Sequence, residues 1–296
     1  MTDKLLIDTG PSDRGIHRQE TFRRCPFLFA AKYKLRLGHL MGNREALIRG
    51  TMGHIGLAHY YARKQAEQRG TDPEVFFAPM DAIAEKVRRL PDQEGAAAAE
   101  IARRWLTPVQ VAIEAYMTWY AQENLEVLHV EHPVEMQFGP TPDTRMTQRF
   151  DLVVRDSSQR VWVWDHKCVG RIDRKSTARY TLCGQFLEMV WQARNIWGDD
   201  FGGLRINVVQ VSNPPDPKFH RVSPDPAPAA LADFPQSVVD TEGLIAQLER
   251  ARPDPWMWGP RAYSEVVCMT PYGPCDAQEL CRWGKAGLAD MENRHE

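Results

Sequence analysis

Thr147–Arg155 and Arg160–Lys167 read TQRFDLVVR and RVWVWDHK, two short apolar runs separated by Asp156-Ser157-Ser158-Gln159. Valine, phenylalanine and tryptophan favour strands, and a brief polar break between two such runs signals a hairpin. The spacing predicts antiparallel strands, with Asp151 opening the first, Asp165 closing the second, and both carboxylates at one end of the sheet. At ~4 Å two such charges repel by about 4 kcal/mol at an effective dielectric of 20. A divalent cation between them removes that cost, and hard oxygen ligands select Mg2+ or Mn2+. Lys167 lies two positions after Asp165, so strand periodicity puts both on one face. An ammonium there can hold and polarise a water. Carboxylates, lysine and cation together form a hydrolytic set for phosphodiesters. The alternative for Asp165 and Lys167 is a surface salt bridge on a hairpin.

Before this hairpin, residues Asn43 to Gln68 read as a helix, with Leu47, Ile48, Met52, Ile55, Leu57 and Ala58 at helical intervals. Gly50, Gly53 and Gly56 weaken its propensity and suggest close packing against a neighbour. This helix carries His54, which is either a ligand for a divalent ion or a hydrogen-bonded core histidine. His59, five residues on, falls on another face and reads as structural. Two more helices are expected over Pro73–Arg89 and Glu94–Gln122, the second interrupted near Pro108. Val127–Phe138 alternates imperfectly and is strand-like. After the hairpin, helical spacing returns over Ser176–Trp197. Gln185 there would bind a phosphate, orient the lysine, or serve as an ordinary polar residue near a helix start. Arg205–Ser212 reads as a buried strand. Asn213–Pro235, with seven prolines, reads as an irregular excursion before a helix over Gln236–Ala251. The order is that of an α/β fold, a mixed sheet inside helical additions. One structural unit is expected, with a helical segment over 1–124, the core over 125–212, and a tail over 213–296 that packs back on the N-terminus.

The 296 residues include 43% hydrophobic and 26% charged side chains, a globular composition. Thirty-seven basic and 39 acidic residues give a net charge of −2, so no basic coat covers the chain and any DNA surface is local. One such patch is Arg171, Arg174 and Lys175, just beyond Lys167; Arg14, Arg18, Arg23 and Arg24 form another. No apolar run spans a bilayer and the first residues lack a signal-peptide core, so a cytoplasmic chain with reduced thiols is expected and no membrane partner. Cys168 and Cys183 then read as free thiols of the core. Cys25, Cys268, Cys275 and Cys281 cluster toward the two chain ends and could enclose one metal centre, a [4Fe–4S] cluster or a zinc ion held by all four thiolates. The wide spacings, without a tight knuckle, lean toward the cluster. Four unrelated thiols are the alternative.

Taken in chain order, Cys25, Gly50 to His54, Asp151, Asp165-His166-Lys167, Gln185, Cys268, Cys275 and Cys281 resemble the PD-(D/E)XK nuclease superfamily. The set is most similar to its RecB-like branch with an iron–sulfur staple, which includes AddB-type recombination nucleases and CRISPR-associated exonucleases. The resemblance implies a restriction-endonuclease-like core: a central mixed sheet flanked by helices, with a helical N-terminal addition and a cysteine-stapled tail. It implies His54, Asp151, Asp165 and the backbone carbonyl of His166 as metal ligands. Lys167 would be catalytic with the two aspartates, and Gln185 would contact DNA. Two positions depart from the family pattern. Met189 stands where a tyrosine is frequent, with Tyr180 as a candidate substitute, and Arg149 stands where a glycine is common. The implied activity is a metal-dependent deoxyribonuclease, an exonuclease on ends or single strands, in recombination, repair, phage or CRISPR-related processing. DNA is the expected partner, with a helicase or a recombination or integration protein as a second. The rival reading is a non-catalytic DNA-binding or assembly module that keeps the fold.

Overall fold

The computed structural model describes residues 4–7, 9–10, 14–40, 44–141, 144–173, 180, 183–259, 261–270 and 273–293. In chain order the helices are α1 (Ile16–Arg24), α2 (Pro26–Phe29), α3 (Arg44–Gln68), α4 (Pro79–Glu94), α5 (Ala96–Trp119), α6 (Gly184–Trp197), α7 (Pro228–Ala251), α8 (Glu265–Cys268), α9 (Gln278–Trp283) and α10 (Gly287–Asn293). The strands are β1 (Glu126–Gln137), β2 (Arg145–Arg155), β3 (Val161–Val169), β4 (Phe201–Gln210), β5 (Phe219–Val222), β6 (Met269–Thr270) and β7 (Gly273–Pro274). The chain divides into two compact units. The first comprises Met1–Asp13, Glu45–Met136 and Thr147–Ala232, the second Arg14–Arg44, Gln137–Met146 and Asp233–Glu296.

In the first unit the sheet order is β1-β2-β3-β4-β5. β2 pairs antiparallel with β3 from Leu152 opposite Trp164 to Arg155 opposite Val161. β3 and β4 are parallel, and β5 returns antiparallel on β4. Parallel neighbours need a crossover longer than a hairpin loop, and α6 supplies it between β3 and β4. The sheet is therefore mixed, as expected. Both hairpin strands extend further than their apolar runs, so Asp151 and Asp165 lie within β2 and β3 rather than at their ends. β5 corrects the reading of Asn213–Pro235 as wholly irregular: Phe219–Val222 contains no proline, and edge pairing with β4 leaves the neighbouring prolines outside the ladder.

Alternation along β3 sorts its side chains between two cores. Val161 and Val163 pack with Phe186, Met189 and Val190 of α6. Trp164 packs with Leu57 and Tyr61 of α3 and Ile113 and Tyr116 of α5. α5 runs unbroken through Pro108, contrary to the expected interruption. Its buried stripe of Ala98, Ala102, Trp105, Val109, Ile113 and Tyr116 continues on both sides of the proline, and burial at about 25 cal/mol per Å2 outweighs the ~3 kcal/mol helix penalty. Two of the three glycines in α3 are explained by contact. A Cβ at Gly53 would stand 2.2 Å from Cys168 Sγ, and one at Gly56 would stand 2.8 Å from Ile83 Cδ1; Gly50 faces open space. Gly53 thus lets α3 lie directly on β3.

His59 of α3 is fully buried. The Ile7 N–H donates to its Nε2 over 3.1 Å, and its Nδ1–H donates to the Phe77 carbonyl over 3.2 Å. Burial, the main cause, holds its pKa down at about 4. In the second unit Cys25, Phe27, Leu28 and Ala31 pack with Ala277, Leu280 and Met291. Phe22, Phe29 and Ala30 pack with Ile245 and Trp258, whose ring stacks on Phe29 at 5.8 Å.

Candidate active site

The candidate functional residues of the first unit come from five elements. α3 supplies His54, β1 Glu131, β2 Asp151, β3 Asp165 and Lys167, and α6 Gln185. One ligand atom each from His54, Glu131 and Asp151 lies within 4.8 Å of the others, a group able to hold a metal ion. His54 Nδ1 stands 3.4 Å from Asp151 Oδ2. The Glu131 side chain is 6% exposed and that of Asp151 12%. Two carboxylates this close and this dry repel by about 3–4 kcal/mol at an effective dielectric of 20. Arg149 relieves part of it, 3.8 Å from Glu131. Burial raises the Asp151 pKa; His54 opposes the rise, Asp165 adds to it, and Lys167 and the His166 N–H oppose it. A divalent cation would reverse that rise.

Sequence reasoning missed Glu131. It sits at φ 50° inside β1, where ordinary strand backbone is left behind. The available signal was the imperfect alternation of His129-Val130-Glu131-His132-Pro133, whose proline already argues against a regular strand.

Asp165 and Lys167 form the second half of the site. Lys167 Nζ donates to Asp165 Oδ1 at 3.0 Å and to Gln185 Oε1 at 3.1 Å. Gln185 Nε2 donates to Asp165 Oδ1 at 2.8 Å, closing a three-residue ring. The pairing of Asp165 with Lys167 is thus a salt bridge, but a buried one, since Asp165 is 2% exposed. Asp165 Oδ2 lies 2.8 Å from Nζ as an ion pair without hydrogen-bond geometry, and this buried oxygen accepts no hydrogen bond. Burial would lower the Lys167 pKa, yet Asp165 and Asp151 more than offset it and the pKa is raised. Lys167 is therefore a cation at neutral pH.

His166 takes the other face of β3. Its ring is buried, stacks on Tyr61 at 5.8 Å, and accepts at Nδ1 from Asn207 Nδ2 over 2.9 Å. Asn207 also donates to the Tyr116 hydroxyl at 3.0 Å. Burial, then the neighbouring His54 and the cations Arg221 and Lys167, hold the His166 pKa well below the usual imidazole value. The neutral ring points into the core, while the His166 backbone N–H donates to Asp151 Oδ2 at 2.7 Å. Its side chain thus anchors the peptide that orients Asp151.

Tyr180 is buried edge-on against Phe186 at 5.5 Å. Arg171 is exposed just beyond β3. Arg174 and Lys175 lie outside the described residues.

The chain matches the family model of the PD-(D/E)XK nuclease superfamily over residues 16–282. It belongs to that superfamily. The mixed sheet with Asp151, Asp165 and Lys167 on adjacent strands is accordingly a restriction-endonuclease-like core. PD-(D/E)XK nucleases use divalent metals, and the His54–Glu131–Asp151 group is where this member has the donors for one. Among solved structures, the Eubacterium rectale protein named "Putative exonuclease" is 12% identical, with a TM-score of 0.40, over 88% of this chain and 91% of its own. The protein SSO0001 is 11% identical, with a TM-score of 0.31, over 54% of this chain and 70% of its own. No curated protein sequence matches. Among the described residues no helix is long and apolar enough to cross a membrane.

In this PD-(D/E)XK chain the cysteines also separate into groups. Cys25, Cys268, Cys275 and Cys281 line one apolar cavity of the second unit, with Phe27, Leu28, Val267 and Ala277. The β6–β7 hairpin joins Cys268 to Cys275, and the Cys275 N–H donates to the Cys268 carbonyl at 2.7 Å. All six cysteines are free. Burial pushes Cys281 up to about 11 and raises Cys275; Arg261 and Arg24, respectively, pull the other way. Cys168 and Cys183 stand apart in the first unit, Cys168 against Gly53 and Cys183 at the start of α6.

Proposed function

We propose that this chain is a divalent-metal-dependent deoxyribonuclease of the RecB-like branch, working as an exonuclease on DNA ends or single strands. The observation that carries the reading is the meeting of His54, Glu131 and Asp151 within 4.8 Å beside the Lys167–Asp165–Gln185 ring. His54, Glu131 and Asp151 would hold the cation, with the open Oδ2 of Asp165 and the His166 carbonyl as further oxygens. Carboxylate oxygens suit Mg2+ or Mn2+, and the imidazole favours Mn2+ of the two. When bound, the ion supplies Lewis acidity toward a phosphate oxygen and lowers the pKa of water.

The chain's own residues do the rest. Lys167, kept protonated, cannot act as a base; with two N–H groups on Asp165 and Gln185, it donates the third to the attacking oxygen or to charge growing on the phosphate. Asp165 and Gln185 orient that ammonium. Asp151 is held in place by the His166 N–H, itself fixed by the buried ring. Gln185, hydrogen-bonded to the lysine, would meet the strand together with Tyr180, and the exposed Arg171 would take its backbone just beyond β3.

In the second unit the four thiols would hold a [4Fe–4S] cluster as a structural staple. What favours it over zinc is width. Tetrahedral zinc brings thiolates to about 3.8 Å of one another, whereas among the described residues no three thiol sulfurs lie within 4.8 Å. Brown colour and visible absorbance in protein purified without oxygen support the cluster; a colourless protein with stoichiometric zinc removes it.

The deciding experiment digests end-labelled single- and double-stranded DNA with Mn2+ or Mg2+, with and without chelator. Chelator-sensitive shortening from one end is expected. Lys167→Ala and Asp151→Ala should each lower kcat by at least about 100-fold, the range of one lost transition-state donor. Equal activity in wild type and both variants overturns the assignment.

A further inference from the structure

Arg49 of α3 is a half-buried guanidinium without a hydrogen-bond or ion-pair partner among the described residues. Its Nε is buried without a hydrogen-bond partner, and among the described residues the side chain makes no hydrogen bond and no ion pair. The nearby acid is already taken: Glu45 accepts from Trp105 Nε1 at 2.8 Å and from Arg104 at 2.7 Å. Arg49 lies over the Trp105 ring, 4.8 Å from its centroid. It also rests on Gly170, where an added Cβ would stand 3.3 Å from Nη1. A missing side chain and an indole platform thus fix a planar cation that keeps its donors free. A buried charge left unpaired is costly, and an arginine fork matches phosphate geometry.

Its place in the fold suggests the anion. Gly53 packs on Cys168 and Arg49 packs on Gly170, so α3 runs antiparallel to β3 and Arg49 sits where β3 ends, three residues beyond Lys167. His54 is five residues further along the same helix, about 7.5 Å along its axis at ~1.5 Å per residue and about 140° around it at 3.6 residues per turn, so the two side chains leave different faces of α3. The axial separation is on the scale of one nucleotide step. The Cys168 thiol cannot serve as the counter-ion, because burial pushes its pKa up to about 12 and keeps it neutral.

We infer that Arg49, seated on Trp105 and Gly170, is a phosphate-binding residue for a nucleic-acid strand, taking a phosphodiester next to the one hydrolysed. The inference rests on the nuclease reading for its ligand, but its test does not require cleavage. Fluorescein-labelled dT12 is titrated with wild type, Arg49→Ala and Arg49→Lys from 50 to 300 mM salt, with chelator present. Arg49→Ala is expected to weaken binding about ten-fold and to reduce the slope of log K against log salt by about 0.7, the value for one phosphate contact to a single strand. Arg49→Lys should keep the slope, since the charge remains, and lose part of the affinity, since the fork and the stacking do not. Melting temperature and Mn2+ affinity by calorimetry should match wild type in both variants. An unchanged slope in Arg49→Ala overturns the inference. So does a fall in melting temperature or Mn2+ affinity that accompanies the loss, because the arginine would then be supporting the fold. Wild-type protein that binds dT12 but cleaves no DNA with Mn2+ would instead sink the nuclease reading and leave the phosphate site standing.

Discussion

The two units each gather metal-ligand side chains, and they do so in opposite ways. In the first, hard donors are crowded before any ion arrives: Glu131, Asp151 and His54 are held within 4.8 Å by a sheet and a helix that cores on both faces keep rigid. The cost is like-charge repulsion between Glu131 and Asp151, met in part by Arg149, on top of the burial that raises the pKa of Asp151. In the second, four soft donors line an apolar cavity but stay apart, and burial keeps Cys275 and Cys281 protonated. The sheet stores electrostatic strain that a cation releases. The thiol cavity stores none, and its ion or cluster must first displace protons.

This contrast can be broken most forcefully at the thiols. Cys281→Ser in protein purified without oxygen is expected to lower the melting temperature by roughly 10 °C, on the scale of a lost 3–5 kcal/mol, without changing Mn2+ affinity of the first unit. An unchanged melting curve would mean the cavity holds nothing that stabilises it. Next comes Glu131→Gln, which keeps the shape and removes one charge. Mn2+ affinity by calorimetry should fall about 100-fold, or about 2.7 kcal/mol, while the apo protein becomes no less stable because a repulsion has gone. A destabilised apo variant with unaltered affinity would show that Glu131 is structural.

Acid should separate the units further. His59 has a folded pKa of about 4 against an unfolded value near 6.5, so the unfolded chain takes up its proton first as pH falls. Its contribution is complete above about pH 6.5 and shrinks steadily toward pH 4, by about 2.5 kcal/mol between pH 7.5 and 4.5. Urea midpoints across that range, compared with His59→Gln, check it; parallel curves for the two proteins would refute it. The smallest effect is expected from Gly53→Ala. A Cβ 2.2 Å from Cys168 Sγ forces α3 off β3, at a cost of about 1–3 kcal/mol. Adding Cys168→Ala should recover part of that loss, and strict additivity of the two changes would show that they do not touch.

Much of the sheet was legible because strand signals are local. TQRFDLVVR and RVWVWDHK, the polar turn between them, and two-residue spacing from Asp165 to Lys167 are visible within twenty-one residues. α3 was legible from its apolar period, and its glycines announced close packing, although only Gly53 and Gly56 use it. Glu131 was not legible, because a left-handed φ in mid-strand depends on what the strand packs against. Arg49 was hidden for a related reason: in sequence it is one more basic residue, and only a count of its partners sets it apart. The continuity of α5 through Pro108 and the strand β5 were missed because local penalties were weighed without the burial and edge pairing that override them.

The sequence by itself determined which side chains alternate on β3, that Asp165 and Lys167 share a face, and that His54 rides a glycine-bearing helix, since strand and helix periods are properties of the backbone. Only the tertiary structure decided that Glu131 joins the group with His54 and Asp151, that the His166 ring turns into the core, and that among the described residues Arg49 has no hydrogen-bond or ion-pair partner. Those facts depend on distances between residues far apart in the chain, and packing sets such distances.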